Sequence, residues 1–147
     1  MKTKQMRIGV LGFAAVMSAG VLSSCAAGGV EFEQALVAQA EALDGGMSLP
    51  SAGTPFETWD EMVILCPYAS TQDLEPKFAQ VIKDDHDLMD ESSQWFIFAR
   101  EDRTEALRLS RSNVDFCAGQ LSAESLPGNQ AFAVAQNSGQ WVFTPVN

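Results

Sequence analysis

The sequence predicts an α+β domain: a small antiparallel sheet of four to five strands with two helices and one disulfide. Three observations lead there. Short β-branched and aromatic runs recur between Trp59 and Thr144, separated by turn-forming residues. Two stretches, Glu31 to Leu43 and Thr71 to Lys83, space their apolar residues at helical intervals. Two cysteines, Cys66 and Cys117, lie in the body of the chain, away from the third, Cys25. With 147 residues, 46% hydrophobic and 9% aromatic, the chain suits one globular domain and not wholesale disorder.

Residues 1–24 read as an export leader. Lys2, Lys4 and Arg7 precede an apolar run from Ile8 to Leu22, broken by Gly9, Gly12, Ser18 and Gly20. That run is too short and too glycine-broken for a membrane-spanning helix. It ends in Leu22-Ser23-Ser24-Cys25, a large aliphatic residue, two small ones and a cysteine. These four residues resemble the lipobox of bacterial lipoproteins. The resemblance implies that Cys25 becomes the N-terminus, carries a diacylglyceryl group on its thiol, and anchors the chain at the extracytoplasmic face of a bacterial membrane. Each buried methylene is worth about 0.8 kcal/mol, so two or more acyl chains hold firmly where one does not. The alternative is an ordinary secretory signal cut near Ala26 or Ala27, with Cys25 discarded.

Three segments follow from this: a leader over 1–24, a tether with one helix and a Gly/Pro linker over 25–57, and a compact α+β domain over 58–147. Residues 25–30 are small, as a tether needs. The run from Glu31 to Leu43 is rich in good helix formers, with Phe32, Leu36, Ala40 and Leu43 on one stripe expected to pack on the domain. Glu31 and Glu33 fall in its first turn, and Gly45 is placed to end it. Gly45 to Pro55 reads as a connector.

In the compact region, Met62-Val63-Ile64-Leu65 admits two readings. Thr58 and Glu61 form a capping box that would start a helix, whereas the β-branched pair and the short length before Pro67 favour a strand. A helix capped by Thr71 or Asp73 is expected to run to Lys83, with Pro76 in its first turn and Leu74, Phe78, Val81 and Ile82 on its apolar face. Asp84 to Glu91 is an acidic loop. Trp95 to Phe98 and Ala106 to Leu109 are strands paired across a charged turn at Arg100 to Arg103. Val114 and Phe116 look buried. Beyond a loop with Pro127 and Gly128, Ala131 to Gln136 and Trp141 to Thr144 flank Asn137-Ser138-Gly139, a hairpin signal because Asn and Gly tolerate positive φ.

With Cys25 assigned to lipid, Cys66 and Cys117 form an even pair, which in an oxidising compartment reads as a disulfide. The segments Trp59-Asp60, Cys66-Pro67-Tyr68, Arg111-Ser112 and Asp115-Phe116 resemble a pattern in small exported bacterial proteins of unassigned function. That resemblance implies an α+β fold and no activity.

Charge narrows the partners. All 19 acidic residues but only 6 of the 9 basic ones lie after position 24, a net charge of −13. Such a body repels phosphate backbones, which argues against nucleic acid as a partner. The chain has no nucleophile elbow, no His-Glu-x-x-His and no glycine-rich phosphate loop. The single histidine, His86, sits among Asp84, Asp85, Asp87, Asp90 and Glu91, which are weak candidates for a cation such as Ca²⁺. The EF-hand spacing is missing, however, and no glycine lies between residues 54 and 118, so the stretch reads as a solvated loop. Arg100, Arg103, Arg108 and Arg111 form the one basic cluster of the mature chain. They either pair locally with Glu101, Asp102, Glu105 and Asp115, or contact an anionic group on a partner. Trp59, Trp95, Trp141 and Tyr68 read as core aromatics, with ligand stacking as the alternative.

The expectation is therefore a membrane-anchored, non-enzymatic binding or adaptor module of the cell envelope. It would need no cofactor, be held to the membrane through the lipid on Cys25, and meet an envelope protein or ligand that the sequence does not name. The alternatives are a small envelope hydrolase using carboxylates or His86, and an acidic metal-binding lipoprotein.

Overall fold

The computed structural model describes residues 24–43, 45–119 and 123–147; all of the proposed leader over 1–24 except Ser24 lies outside them. The elements are α1 (Ser24–Ala42), β1 (Gly46–Ser48), β2 (Glu61–Leu65), α2 (Pro76–Ala79), β3 (Ser93–Arg100), β4 (Arg103–Ser110), β5 (Val114–Asp115), β6 (Leu126–Pro127), β7 (Ala131–Asn137) and β8 (Gln140–Pro145). Single turns of 3₁₀ helix lie at Thr71–Asp73 and Asp85–Met89. The fold is α+β with two helices and the Cys66–Cys117 disulfide. The strands form two four-stranded sheets instead of one of four to five: β4-β3-β2-β6 and β1-β7-β8-β5. Pairing is antiparallel except between β5 and β8.

The ambiguous run Met62 to Leu65 is a strand, and its position explains why it lacks alternation. Met62 and Ile64 point into a core shared with Phe96, Phe98, Leu107, Phe116, Phe132 and Phe143. Val63 and Leu65 point the other way, into a second core with Leu74, Phe78, Ile82, Leu88, Ile97 and Ala99. A strand buried on both faces reads as a continuous apolar run. Sheet β4-β3-β2-β6 is thus the middle layer of three.

Helix α1 is part of the first core. Phe32, Leu36 and Ala40 are buried there, and the Phe32 ring meets Phe96 and Phe98 edge-on at 5.4 and 6.2 Å. The expected packing of this stripe is observed, though Leu43 lies past the helix end and is exposed. The helix begins earlier than its good formers suggest. It runs through Gly28 and Gly29, which were expected to be tether, and Glu31 and Glu33 are therefore not in its first turn. A Cβ on Gly29 would come within 2.7 Å of the Arg108 carbonyl oxygen, and one on Gly28 within 2.9 Å of the Gly53 carbonyl. Missing side chains here let the helix lie against β4, the outer strand of its sheet, which is thereby covered.

Three further expectations change. The Gly45–Pro55 connector contains strand β1, whose Met47 is buried opposite Phe132 of β7. Residues 71–83 hold only one turn of α-helix, Pro76–Ala79, with Pro76 at its first position. The chain beyond it tightens into i+3 bonds (Val81 N–H to Phe78 O, Ile82 N–H to Ala79 O), which bring Leu74, Phe78 and Ile82 together under the sheet. Pro127, expected in a loop, pairs with Glu61 at a sheet edge, where a missing N–H is tolerated. The β7–β8 hairpin forms as expected, with the positive φ at Ser138 (50°) and Gly139 (87°), the two residues between Asn137 and Gln140.

Cys66 follows β2 and Cys117 follows β5, so the disulfide (Cα–Cα 5.5 Å) ties the two sheets. Its 51-residue separation restricts the unfolded chain by about 4 kcal/mol on the chain-entropy model. Replacing both cysteines by alanine should lower the unfolding free energy by about 2–5 kcal/mol, read from urea titration of the oxidised protein. Gly29→Ala should destabilise by about 1–3 kcal/mol despite alanine's helix propensity, because the added methyl meets backbone. An unchanged urea midpoint for Gly29→Ala would mean that the helix does not seat on β4 as described.

Candidate functional site

The acidic loop and the arginine-bearing strand, separate candidates in the sequence, meet in the fold. Asp90 accepts hydrogen bonds from the Ser92 N–H (2.9 Å), the Ser92 hydroxyl (2.7 Å) and the Ser93 hydroxyl (3.1 Å), and pairs with Arg108. These donors, led by those of Ser92, hold its carboxyl down at about 2. Arg108 also stands over the Trp95 ring at 5.9 Å, and the Trp95 indole N–H donates to the Asp87 carbonyl. Glu91 accepts the Tyr68 hydroxyl, and its backbone carbonyl takes a hydrogen bond from Arg111. Asp84 caps its own turn through the His86 N–H, and Asp85 accepts the Thr71 hydroxyl at 2.7 Å.

Four of the five acids proposed as weak cation ligands are thus engaged by donors of the domain. Among the described residues no group of three or more His, Cys, Asp or Glu side chains converges as a metal site. His86 is exposed on its 3₁₀ turn.

The arginines divide. Arg111 is forked onto Asp115, Nε at 3.1 Å and Nη2 at 2.9 Å, and Asp115 is only 5% exposed and also accepts the Cys117 N–H at 2.7 Å. That pair is structural: it fixes the turn that leads from β4 into β5. Arg103 pairs with Glu105 and stacks on Phe56 at 5.0 Å, yet stays largely exposed. Arg100, its register partner at the end of β3, is exposed as well. Local pairing with Glu105 and Asp115 is as the sequence suggested; the Arg108–Asp90 pair joins residues 18 apart and was not visible in it.

Sequence reasoning missed Gln94. Its strand was expected to start at Trp95, but β3 begins at Ser93 and Gln94 is wholly buried. Its amide NH₂ donates to the Val114 carbonyl and its amide oxygen accepts the Phe116 N–H, both at 2.9 Å. A polar side chain beside the apolar run Trp95 to Phe98 was the available signal. Burial this complete requires partners, and Gln94 supplies both kinds.

Two surface depressions matter for binding. One, of about 550 Å³, lies between α1 and the β7–β8 hairpin, lined by Glu33, Val37, Glu41, Asn113, Gln136 and Trp141 among others. Trp141 is half-buried, packed on the first core with Val37, and Glu33 accepts the Asn113 amide N–H at 2.6 Å. The other, of about 490 Å³, flanks the disulfide and includes Cys66, Pro67, Tyr68 and Glu124. Tyr68 there is 62% exposed with φ of 68°, a left-handed conformation uncommon for an aromatic residue. Tyr68 is therefore a surface residue, whereas Trp59 and Trp95 are half-buried against the two cores.

Among the described residues no helix is long and apolar enough to cross a membrane. No family model matches the chain, and neither a curated protein nor a solved structure matches it.

The geometry at Asp90 fixes a pH response. Its folded pKa of about 2 lies below the ordinary 3.8, so its contribution to stability is present above pH 4 and lost as pH falls toward 2. Asp90→Asn should flatten the acid limb of the urea midpoint between pH 4 and 2 relative to the parent. Gln94→Leu should destabilise by about 2–5 kcal/mol, since it strands one buried carbonyl and one buried N–H of the β5 segment. Retention of full stability in Gln94→Leu would remove this residue as the bridge between the sheets.

Proposed function

We propose that this chain is an exported bacterial lipoprotein, held at the extracytoplasmic face of the membrane through lipid on Cys25, and that it serves as a non-enzymatic binding module. Cys25 falls in the first turn of α1, and its side chain lies outside the described residues. The Leu22-Ser23-Ser24-Cys25 sequence and the charged, apolar leader before it support the anchor.

One observation carries the choice of binding surface: the groove between α1 and the β7–β8 hairpin sets Glu33 and Glu41 beside the half-buried ring of Trp141, with no basic residue among the described residues of its lining. Carboxylates next to an indole face suit a Lys or Arg side chain, which the indole attracts through its quadrupole and the carboxylates through charge. The ligand class is therefore a cationic segment of an envelope partner. A second reading keeps the tip of the β3–β4 hairpin as a partner contact. Arg103 supports it, a guanidinium held in place on Phe56 while its side chain stays 66% exposed.

Cys25→Ala should release the protein to the soluble fraction or stall its processing; a variant processed and membrane-held like the parent would sink the anchor. Calorimetric titration with a lysine-rich peptide should show saturable binding, weakened about tenfold or more, some 1.4 kcal/mol, by Trp141→Ala or by Glu33→Gln with Glu41→Gln. Equal affinities across these variants would move the binding surface off the groove. Charge reversal at Arg100 and Arg103 should leave that titration unchanged, whereas loss of envelope crosslinks in the same variant would favour the hairpin tip.

A further inference from the structure

We infer that the body of this protein sits flush on the bilayer, with the start of α1 and the adjoining Ser51–Pro55 loop as the face that meets the lipid headgroups. The placement rests on the Cys25 anchor proposed above and adds what that anchor leaves open: how far the domain stands from the membrane and which side it presents.

Spacing decides the distance. Gly28 and Gly29 are already seated on the body, the first against Gly53 and Leu107 and the second against Arg108. Only Ala26 and Ala27 separate Cys25 from them. Three residue steps span about 4.5 Å along a helix, and about 10 Å even when fully extended. The headgroup region on each side of a bilayer is roughly 5–8 Å deep. A domain joined to its acylated cysteine by so short a reach stays within the headgroups along the helix and stands at most a few ångströms clear of them when extended.

The face fits the position. Val30, one residue past the seated glycines, is 58% exposed, a large apolar side chain pointing away from the core. Ser51 and Ala52 of the loop packed on Gly28 are small and exposed. On the face of β4 that the helix covers, Arg103 is paired with Glu105, so that pair adds no net charge there. The opposite edge of the same sheet is β6, three strand spacings or about 14 Å from β4.

The test uses the full chain, produced in a bacterial host that acylates lipoproteins and placed in vesicles of phosphatidylethanolamine and phosphatidylglycerol. Mass spectrometry of the N-terminal peptide comes first; absence of diacylglyceryl on Cys25 would overturn the anchor and this inference together. With the lipid present, a fluorophore is attached at Val30→Cys or, as the reference beyond β6, at Asn129→Cys. Headgroup spin-labelled lipid should quench the Val30 site several-fold more than the Asn129 site. A Gly-Ser spacer of about six residues between Ala27 and Gly28, reaching roughly 13 Å, should bring the Val30 quenching down to the reference level. Equal quenching at the two sites, or quenching at Val30 that the spacer does not change, in a protein shown to be acylated, would overturn flush seating while leaving the anchor intact.

Discussion

The two sheets are joined through one buried amide. Gln94 stands on β3 of the middle sheet and makes, with the backbone of Val114 and Phe116, the pair of hydrogen bonds that a neighbouring strand would otherwise make. Strand β5 has only two residues and a single partner, β8. Gln94 completes it from the other side. Phe116 is thereby fixed where its ring stacks on Phe143 at 4.4 Å and meets Phe96 and Phe132 edge-on. The disulfide at Cys117 and the Arg111–Asp115 fork bracket the same short segment. Each fixes a different degree of freedom. The amide fixes the register of β5, the disulfide its distance from β2, and the fork its direction of entry.

This arrangement confines candidate binding surfaces to the periphery. The middle sheet is covered on both faces over β2 and β3, and its solvent-facing side chains lie mainly on the edge strand β4. One outer layer, from Thr71 to Glu91, holds Asp84 and Asp85 in its own turns, Asp90 on Arg108 and Glu91 on Tyr68. The acidic loop and the basic strand, separate in the sequence, meet at one ion pair, Arg108–Asp90. The other outer layer keeps its polar groups outward, and there α1 and the β7–β8 hairpin leave a concave strip between them.

Much of the fold is legible in the residues. Aromatic and β-branched runs with turn chemistry between them locate the β3–β4 and β7–β8 hairpins, because such contacts are local. Cysteine parity locates the disulfide. The rest depends on distant partners. Met62 to Leu65 reads as a helix or a strand until one knows that it is buried on both faces. Strands β1 and β6 are too short to carry a period, and exist because β7 and β2 offer them an edge. Gly28 and Gly29 suggest flexibility by composition, yet here they serve close backbone approach, which only the position of β4 reveals. The groove was illegible for the same reason: Trp141 and Glu41 are a hundred residues apart in sequence and meet only through packing.

The burial of Phe32 bears on how this protein can be handled in isolation. A fragment begun at the glycine- and proline-rich stretch around residues 45–55, which composition marks as the natural place to cut, would lack the ring that closes over Phe96 and Phe98. It would also uncover β4 and lose the edge that β7 shares with β1. Such a fragment would expose an aromatic face and two strand edges at once, a recipe for self-association. A fragment that retains the native interior must therefore keep the chain from Gly28 onward.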